Sequence, residues 1–205
     1  MGLLKQIKKD FQGAFGELKI DLILGKFTDE HNFTIRNLLL VRDNKSTQID
    51  NVLFTKTRVY CIESKNYSGW IYGSEMGKSW TQTFNFYGKI TRTSFYNPLT
   101  QNYGHIKYLS KFLDLPLTYF VNVVVFSDQA ELKNIKTEKT YNHVINQKNL
   151  EPLIKETEEK NDEVFDWEDI ERMKAVVISL DQSGIIANIQ HKKYVKNNNK
   201  KYNRK

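Results

Sequence analysis

The sequence predicts an α/β fold, and three observations predict it. Two runs, 48–54 and 59–65, are dominated by Val, Ile, Leu, Phe and Tyr and flank a polar break, Thr55 to Arg58, suited to a tight turn. A helix signal follows: Asn97 is a good N-cap, Pro98 takes the first helical position, and the helix runs to about Leu113 before Pro116 stops it. Phe120 to Phe126 is then a short continuous apolar run, which reads as a buried central strand.

The elements follow in order. A helix is expected through Phe11 to Leu24, with Phe11, Phe15, Leu18 and Leu22 at helical spacing on one side. Glu17 lies on another side with Ile20 and Leu24, neighbours that point it inward, while Asp21 reads as a surface charge. Thr34 to Val41 is the first strand, and Asp43-Asn44-Lys45-Ser46 supplies turn chemistry before the hairpin. Ile71 onward and Phe84 to Thr93 supply further β segments, punctuated by Gly73, Gly77 and Gly88, and Trp70 and Trp80 read as core residues before nucleotide-stacking ones. On the 97–113 helix Ile106, Leu109 and Leu113 form the apolar stripe, with Gln101, His105, Tyr108 and Phe112 along its margin. Beyond the central strand, Glu131 to Lys139 is polar, Tyr141 to Ile145 is a candidate edge strand, and Leu150 to Lys160 and Trp167 to Leu180 look helical. The acidic Glu156 to Glu159 segment reads as a solvated face, and no internal repeat or Gly-rich phosphate loop occurs.

The hairpin carries the chemistry. With Lys56-Thr57 at its turn, Phe54 faces Val59, Asp50 faces Glu63 and Gln48 faces Lys65. Directly opposed residues share a sheet face with Cβ atoms roughly 4.5–5.5 Å apart, so Asp50, Glu63 and Lys65 project to one side. Like charges opposed on a strand pair are destabilising, which suits a cation site better than plain structure. A one-residue register slip would put the two carboxylates on opposite faces.

An Asp followed on the next strand by Glu-X-Lys resembles the core of the PD-(D/E)XK nuclease superfamily. The wider pattern resembles the NERD (nuclease-related) domain from about Gln12 to about Phe126: Gly16-Glu17 on the first helix, Gln48-Ile49-Asp50, Ile62-Glu63-Ser64-Lys65-Asn66, Gly69-Trp70-Ile71, Trp80, and Asn97-Pro98-Leu99-Thr100-Gln101. The resemblance implies a restriction-endonuclease-like fold, a mixed central β-sheet flanked by helices, and a metal-dependent nuclease. On that basis Asp50, Glu63, Lys65 and Gln101 are the expected catalytic residues. Glu17, Asp50 and Glu63, with the main-chain carbonyl of Ser64, are the expected ligands of one Mg²⁺ or Mn²⁺, because an all-oxygen site suits hard ions. Glu17 is either that third ligand or a partly buried carboxylate paired with a Lys. Gln101 either orients the attacking water or a phosphate oxygen or is structural, and His105 reads as a satisfied interfacial histidine before a functional one. The implied partner is nucleic acid, DNA before RNA, with a helicase or other DNA-processing protein as a further candidate. A catalytically silent nucleic-acid-binding or interaction module on the same fold is the alternative.

Composition divides the chain. Of the 31 Lys and Arg residues, seven lie in residues 191–205, which hold no acid; the remaining 24 equal the 24 Asp and Glu, so the net charge of +7 belongs to the tail. The expected division is a nuclease-like core over 1–126, an α/β extension packed on it over 127–190, and a basic, disordered tail over 191–205 that either adds sequence-independent affinity for nucleic acid or is a solubilising extension. Cys61 is the single cysteine, which excludes an intrachain disulfide and a cysteine zinc site. No apolar run approaches the roughly 20 residues needed to span a bilayer, and the expectation is a cytoplasmic protein that binds no membrane.

Overall fold

In the computed structural model, residues 15–42 and 45–181 are described. Residues 15–25 form helix α1. A long β region follows: β1 (Phe33–Arg42), β2 (Lys45–Phe54), β3 (Val59–Lys65), β4 (Gly69–Ser74), β5 (Ser79–Phe86) and β6 (Lys89–Tyr96). Helix α2 (Pro98–Leu113) leads to β7 (Phe120–Phe126), β8 (Ala130–Lys136), β9 (Asn142–Asn146), α3 (Leu150–Lys160) and α4 (Trp167–Leu180). The strands make two mixed sheets, one ordered β1-β2-β3-β7-β9 and one ordered β6-β5-β4-β8. This is consistent with a restriction-endonuclease-like fold.

Period-two alternation places helices on both faces of the first sheet. Val52, Phe54, Val59 and Cys61 cluster with Ile106 and Leu109 of α2 and Ile170, Met173 and Val177 of α4. Leu53, Tyr60, Ile62, Val121, Val123 and Val125 face the other way, against Ile20 and Leu24 of α1 and Leu150 and Ile154 of α3. Burying a side chain of this size removes roughly 1.5–3 kcal/mol of unfavourable hydration. A buried amide chain crosses this core: Asn102 donates to the Cys61 carbonyl at 2.7 Å and to Asn122 Oδ1 at 2.8 Å, and Asn122 donates to Asn142 Oδ1 at 2.9 Å. It ties α2, β3, β7 and β9 at one level.

The hairpin register is the expected one, with Phe54 opposite Val59 and Asn51 opposite Ile62, and Thr55 N donates to the Arg58 carbonyl across the turn. The ladder stops at Asn51 and Ile62, one pair short of Asp50 and Glu63, while β3 continues along β7 to Lys65. The expected pairing of Gln48 with Lys65 is therefore not part of the ladder; on its other side Gln48 lies opposite Leu39 of β1. Next to the parting, Asn37 of β1 takes a left-handed φ of 51°. The flanking pairs, Arg36 with Asn51 and Leu38 with Ile49, set Asn37 against Asp50. The inward residues change parity there, from Phe33 and Ile35 to Leu38 and Leu40. A local break of this kind re-aims a side chain, and here it falls opposite Asp50.

Several sequence expectations change. The buried side of α1 is that of Ile20 and Leu24, whereas Phe15, Leu18 and Leu22 are exposed; Phe11 lies outside the described residues. Asp21 is not a lone surface charge, since it accepts from Arg36 at 2.5 Å and from Asn51 Nδ2 at 3.0 Å, fastening α1 to β1 and β2. The 84–93 segment spans the β5–β6 turn, with its break at Gly88 as expected, whereas the polar 131–139 stretch contains most of β8, paired in parallel with β4. Glu158 is no solvated charge either: its Oε1 accepts from Thr55, Thr57 and Tyr60 hydroxyls at 3.0, 2.5 and 2.5 Å. Trp80 is core, stacked on Phe126 with ring centroids 6.2 Å apart. The expected turn at Asp43 and Asn44 and the tail over 191–205 lie outside the described residues.

Candidate active site

Where β2 and β3 separate, the chain leaves a cavity of about 300 Å³ lined by Gly16, Glu17, Asp50, Glu63, Ser64, Lys65, Asn66, Val125 and Gln147. Glu63 and Lys65, two apart on β3, project to the same side, and that side is covered by the first turns of α2. The cap fixes those turns: Asn97 Oδ1 accepts from Leu99 N at 2.9 Å and Thr100 N at 3.3 Å, while its amide donates to three carbonyls of the β4–β5 connection. Gln101 then donates to Glu63 Oε1 at 2.7 Å and accepts from Lys65 Nζ at 3.2 Å. Lys65 Nζ also donates to Glu63 Oε1 at 2.5 Å. One turn further, His105 Nε2 stands 3.5 Å from Glu63 Oε2, and the ring is held from behind by a 2.5 Å contact between Nδ1 and the Thr47 hydroxyl.

The two carboxylates are in opposite electrostatic states. Asp50 caps the freed end of the ladder by accepting from Ser64 N at 2.8 Å. Burial and the neighbouring Glu63 charge push it up to about 7, against the opposing pull of Ser64 N, Lys65 and His105. Burial alone would raise Glu63 as well, but His105 and Lys65 outweigh it and hold that carboxyl below its ordinary value. Glu63 is 3% exposed, and its Oε2 is a buried oxygen with no hydrogen-bond partner, as is Ser64 Oγ. Two neighbouring buried carboxylates, one protonation-prone and one held ionised, offer the oxygen donors that a hard divalent cation takes.

Glu17 reaches this cavity from a different direction than Asp50 and Glu63. Helix α1 packs on the opposite face of the sheet, and Glu17 is exposed at the rim. Among the described residues no three His, Cys, Asp or Glu side chains lie close enough to form a ready-made metal cage, so Glu17, Asp50 and Glu63 line one cavity without closing on a common point. The helix itself is well anchored: Lys19 pairs with Asp128, Lys26 with Glu151 at 2.6 Å, and Gln147 Nε2 donates to the Gly16 carbonyl at 2.9 Å. A Cβ at Gly16 would stand 3.3 Å from Gln147 Nε2, so the missing side chain lets Gln147 approach. Gln147, Asn66 and Thr47 were not legible as site residues. Only Asn66 carried a signal, its adjacency to Lys65.

With this geometry in view, comparison with known proteins is decisive for kinship. The nuclease-related domain model matches residues 12–127. The chain belongs to the NERD family. A relative from Bacillus anthracis, itself an uncharacterized protein, is 30% identical over 166 residues, covering 79% of this chain and 76% of its own length. No solved structure matches significantly. Among the described residues, no helix is long and apolar enough to cross a membrane.

Proposed function

We propose that this NERD chain is a metal-dependent nuclease that hydrolyses phosphodiester bonds in nucleic acid, DNA before RNA. The observation that carries the reading is the convergence of Asp50, Glu63 and Lys65 on one cavity, with Gln101 of α2 bonded to both Glu63 and Lys65. Asp50, Glu63 and the Ser64 main chain are the proposed ligands of one Mg²⁺ or Mn²⁺, and Glu17 is a rim ligand that joins through movement of its side chain. When bound, the cation supplies Lewis-acid polarisation of the scissile phosphate and acidifies the attacking water.

The chain's own residues do the rest. Lys65 places an ammonium beside the reacting phosphate and stabilises charge that develops on its oxygens. Gln101, held between Lys65 and Glu63, fixes both head groups and presents its amide to water or a phosphate oxygen. His105 is a positioning residue whose imidazole keeps Glu63 ionised. A catalytically silent nucleic-acid-binding module is the second reading, favoured by the lack of a ready-made three-ligand cage among the described residues. The test is incubation of the purified chain with plasmid, linear and single-stranded DNA and with RNA, in Mg²⁺, Mn²⁺ or EDTA. Cleavage that needs the metal supports the nuclease; binding without cleavage under every condition supports the silent module.

A further inference from the structure

The hairpin made by β5 and β6 is not accounted for by the site. Its root is built into the core, where Trp80 stacks on Phe126 and Phe95 packs edge-on against Tyr67. Its tip is not. The β4–β5 ladder pairs Trp70 with Thr83, which sets Gly69, the first residue of β4, level with Phe84; β5 and β6 continue as a two-stranded ribbon, Asn85 opposite Ile90 and Phe86 opposite Lys89. Three residue levels of about 3.3 Å each make an overhang of about 10 Å.

The surface of this overhang is unusual for an edge hairpin. Phe86, Tyr87 and Ile90 are 65%, 109% and 52% exposed. Tyr87 and Gly88 form the two-residue turn with φ of 49° and 82°. That turn favours Asn or Gly at its first position, so an aromatic residue there runs against local preference. Between Glu75 and Asp114 the chain contains no acidic residue, and Lys78, Lys89 and Arg92 lie on or beside the hairpin. Neither Lys89 nor Arg92 forms an ion pair among the described residues. A ribbon with exposed aromatics and unopposed cations matches a polyanion with apolar edges.

We propose that the β5–β6 hairpin is a DNA-binding arm that enters the major groove of a B-form duplex, with Lys89 and Arg92 on phosphates and Phe86 and Tyr87 against sugars and base edges. The B-form major groove is about 12 Å wide and 8.5 Å deep and admits a two-stranded β-ribbon, which matches the overhang. The A-form RNA groove is too narrow for it, so the arm selects DNA duplex over RNA duplex. The arm also starts close to the site: Gly69 is four residues from Lys65, at most about 14 Å along an extended chain. The assignment of the arm's duplex as the substrate rests on the nuclease reading; its binding does not.

The test is fluorescence anisotropy of the full chain with a labelled 20-bp DNA duplex and an RNA duplex of matching sequence, in EDTA across a salt series. Three variants are compared: Tyr87→Asn, which suits the turn and preserves the hairpin; Phe86→Ser with Tyr87→Asn; and Lys89→Gln with Arg92→Gln. The aromatic variants are expected to weaken DNA duplex binding by about tenfold without changing the salt slope. The charge variant is expected to flatten the slope of log K against log salt by about 2. DNA affinity within twofold of the parent for all three, with an unchanged slope, overturns the arm, as does equal affinity of the parent for RNA duplex. Lost self-association with DNA affinity intact assigns the hairpin to a protein contact and overturns it too. Binding is read without metal and cleavage separately, so a chain whose arm binds but which cuts nothing sinks the nuclease reading alone.

Discussion

The two ends of the β2–β3 hairpin each hold a carboxylate among polar groups, and they resolve it in opposite ways. At the turn, Glu158 Oε1 receives three hydroxyls, from Thr55, Thr57 and Tyr60, while burial and the adjacent carboxylate push the Tyr60 phenol up and keep it protonated. Every strong donor there has found its acceptor, and the cluster pins α3 to the turn. At the open end, Asp50 and Glu63 face one another without a ladder between them, Asp50 is driven toward neutrality, and Glu63 Oε2 lies 3.5 Å from the His105 ring nitrogen. A structural polar cluster closes on itself; this one stays open toward a cavity. The same two strands therefore join a closed polar cluster at the turn to a cavity lined by two carboxylates and a lysine at the other end.

The sharpest way to break that contrast is Glu63→Gln. The amide keeps the volume and accepts from Lys65 and Gln101, so the fold should hold, with an unchanged circular dichroism spectrum. Metal-dependent cleavage should fall by at least about 10²–10³-fold, because the ionic ligand and the local field are both lost. Initial rates on linear DNA measure it. Cleavage within twofold of the parent, from a preparation shown free of contaminating nuclease, would return Glu63 to the structural class.

What the sequence made legible follows from how local each signal was. The hairpin register came from four polar residues between two apolar runs, α2 from its Asn97-Pro98 start, and β7 from an uninterrupted apolar run; all were found as expected. The side of α1 that is buried was not legible, because Phe15, Leu18 and Leu22 recur at helical spacing as regularly as Ile20 and Leu24, and periodicity cannot choose between two apolar faces. Strand β8 was missed because it lies at the edge of the second sheet, where alternate residues meet water and the pattern reads as polar. Gln147 and Glu158 reach Gly16 and Thr57 over sequence separations of 131 and 101, and no local pattern reports such contacts. The parity change at Asn37 left one trace, a lone Asn inside an apolar strand.

A second, smaller effect sharpens the open end through pH. Asp50 lies above its free value of 3.8, at about 7, so the fold favours its protonated form. That stabilisation is fully present below pH 3.8 and is lost as pH rises through about 7. Glu63, held below 4.5, stays ionised from pH 5 to 8 and does not contribute in that window. A cation that needs the Asp50 carboxylate must displace its proton below pH 7. Mg²⁺ or Mn²⁺ affinity, read as a metal-induced rise in Tm or by calorimetry, should therefore climb by up to about tenfold per pH unit from 5 to 7 and then level off. In EDTA at pH 8, Asp50→Asn should melt higher than the parent, with the gap narrowing toward pH 5. A pH-independent metal affinity would show that Asp50 is not a ligand.

The smallest effect belongs to the closed end. Glu158→Gln leaves an acceptor for only part of the Thr55, Thr57 and Tyr60 set and removes the charge that strengthens those bonds. The half-buried position limits the loss to about 1–2 kcal/mol, a few degrees in Tm for a domain of this size. Cleavage per folded molecule should be unchanged, because the turn lies at the far end of β3 from Glu63 and Lys65. The comparison therefore predicts a crossed pattern: Glu63→Gln loses activity and keeps its melting temperature, whereas Glu158→Gln keeps activity and loses stability. A Glu158→Gln protein that melted like the parent yet cleaved poorly would mean the two ends are coupled through β3, and the division between a closed structural cluster and an open functional one would fail.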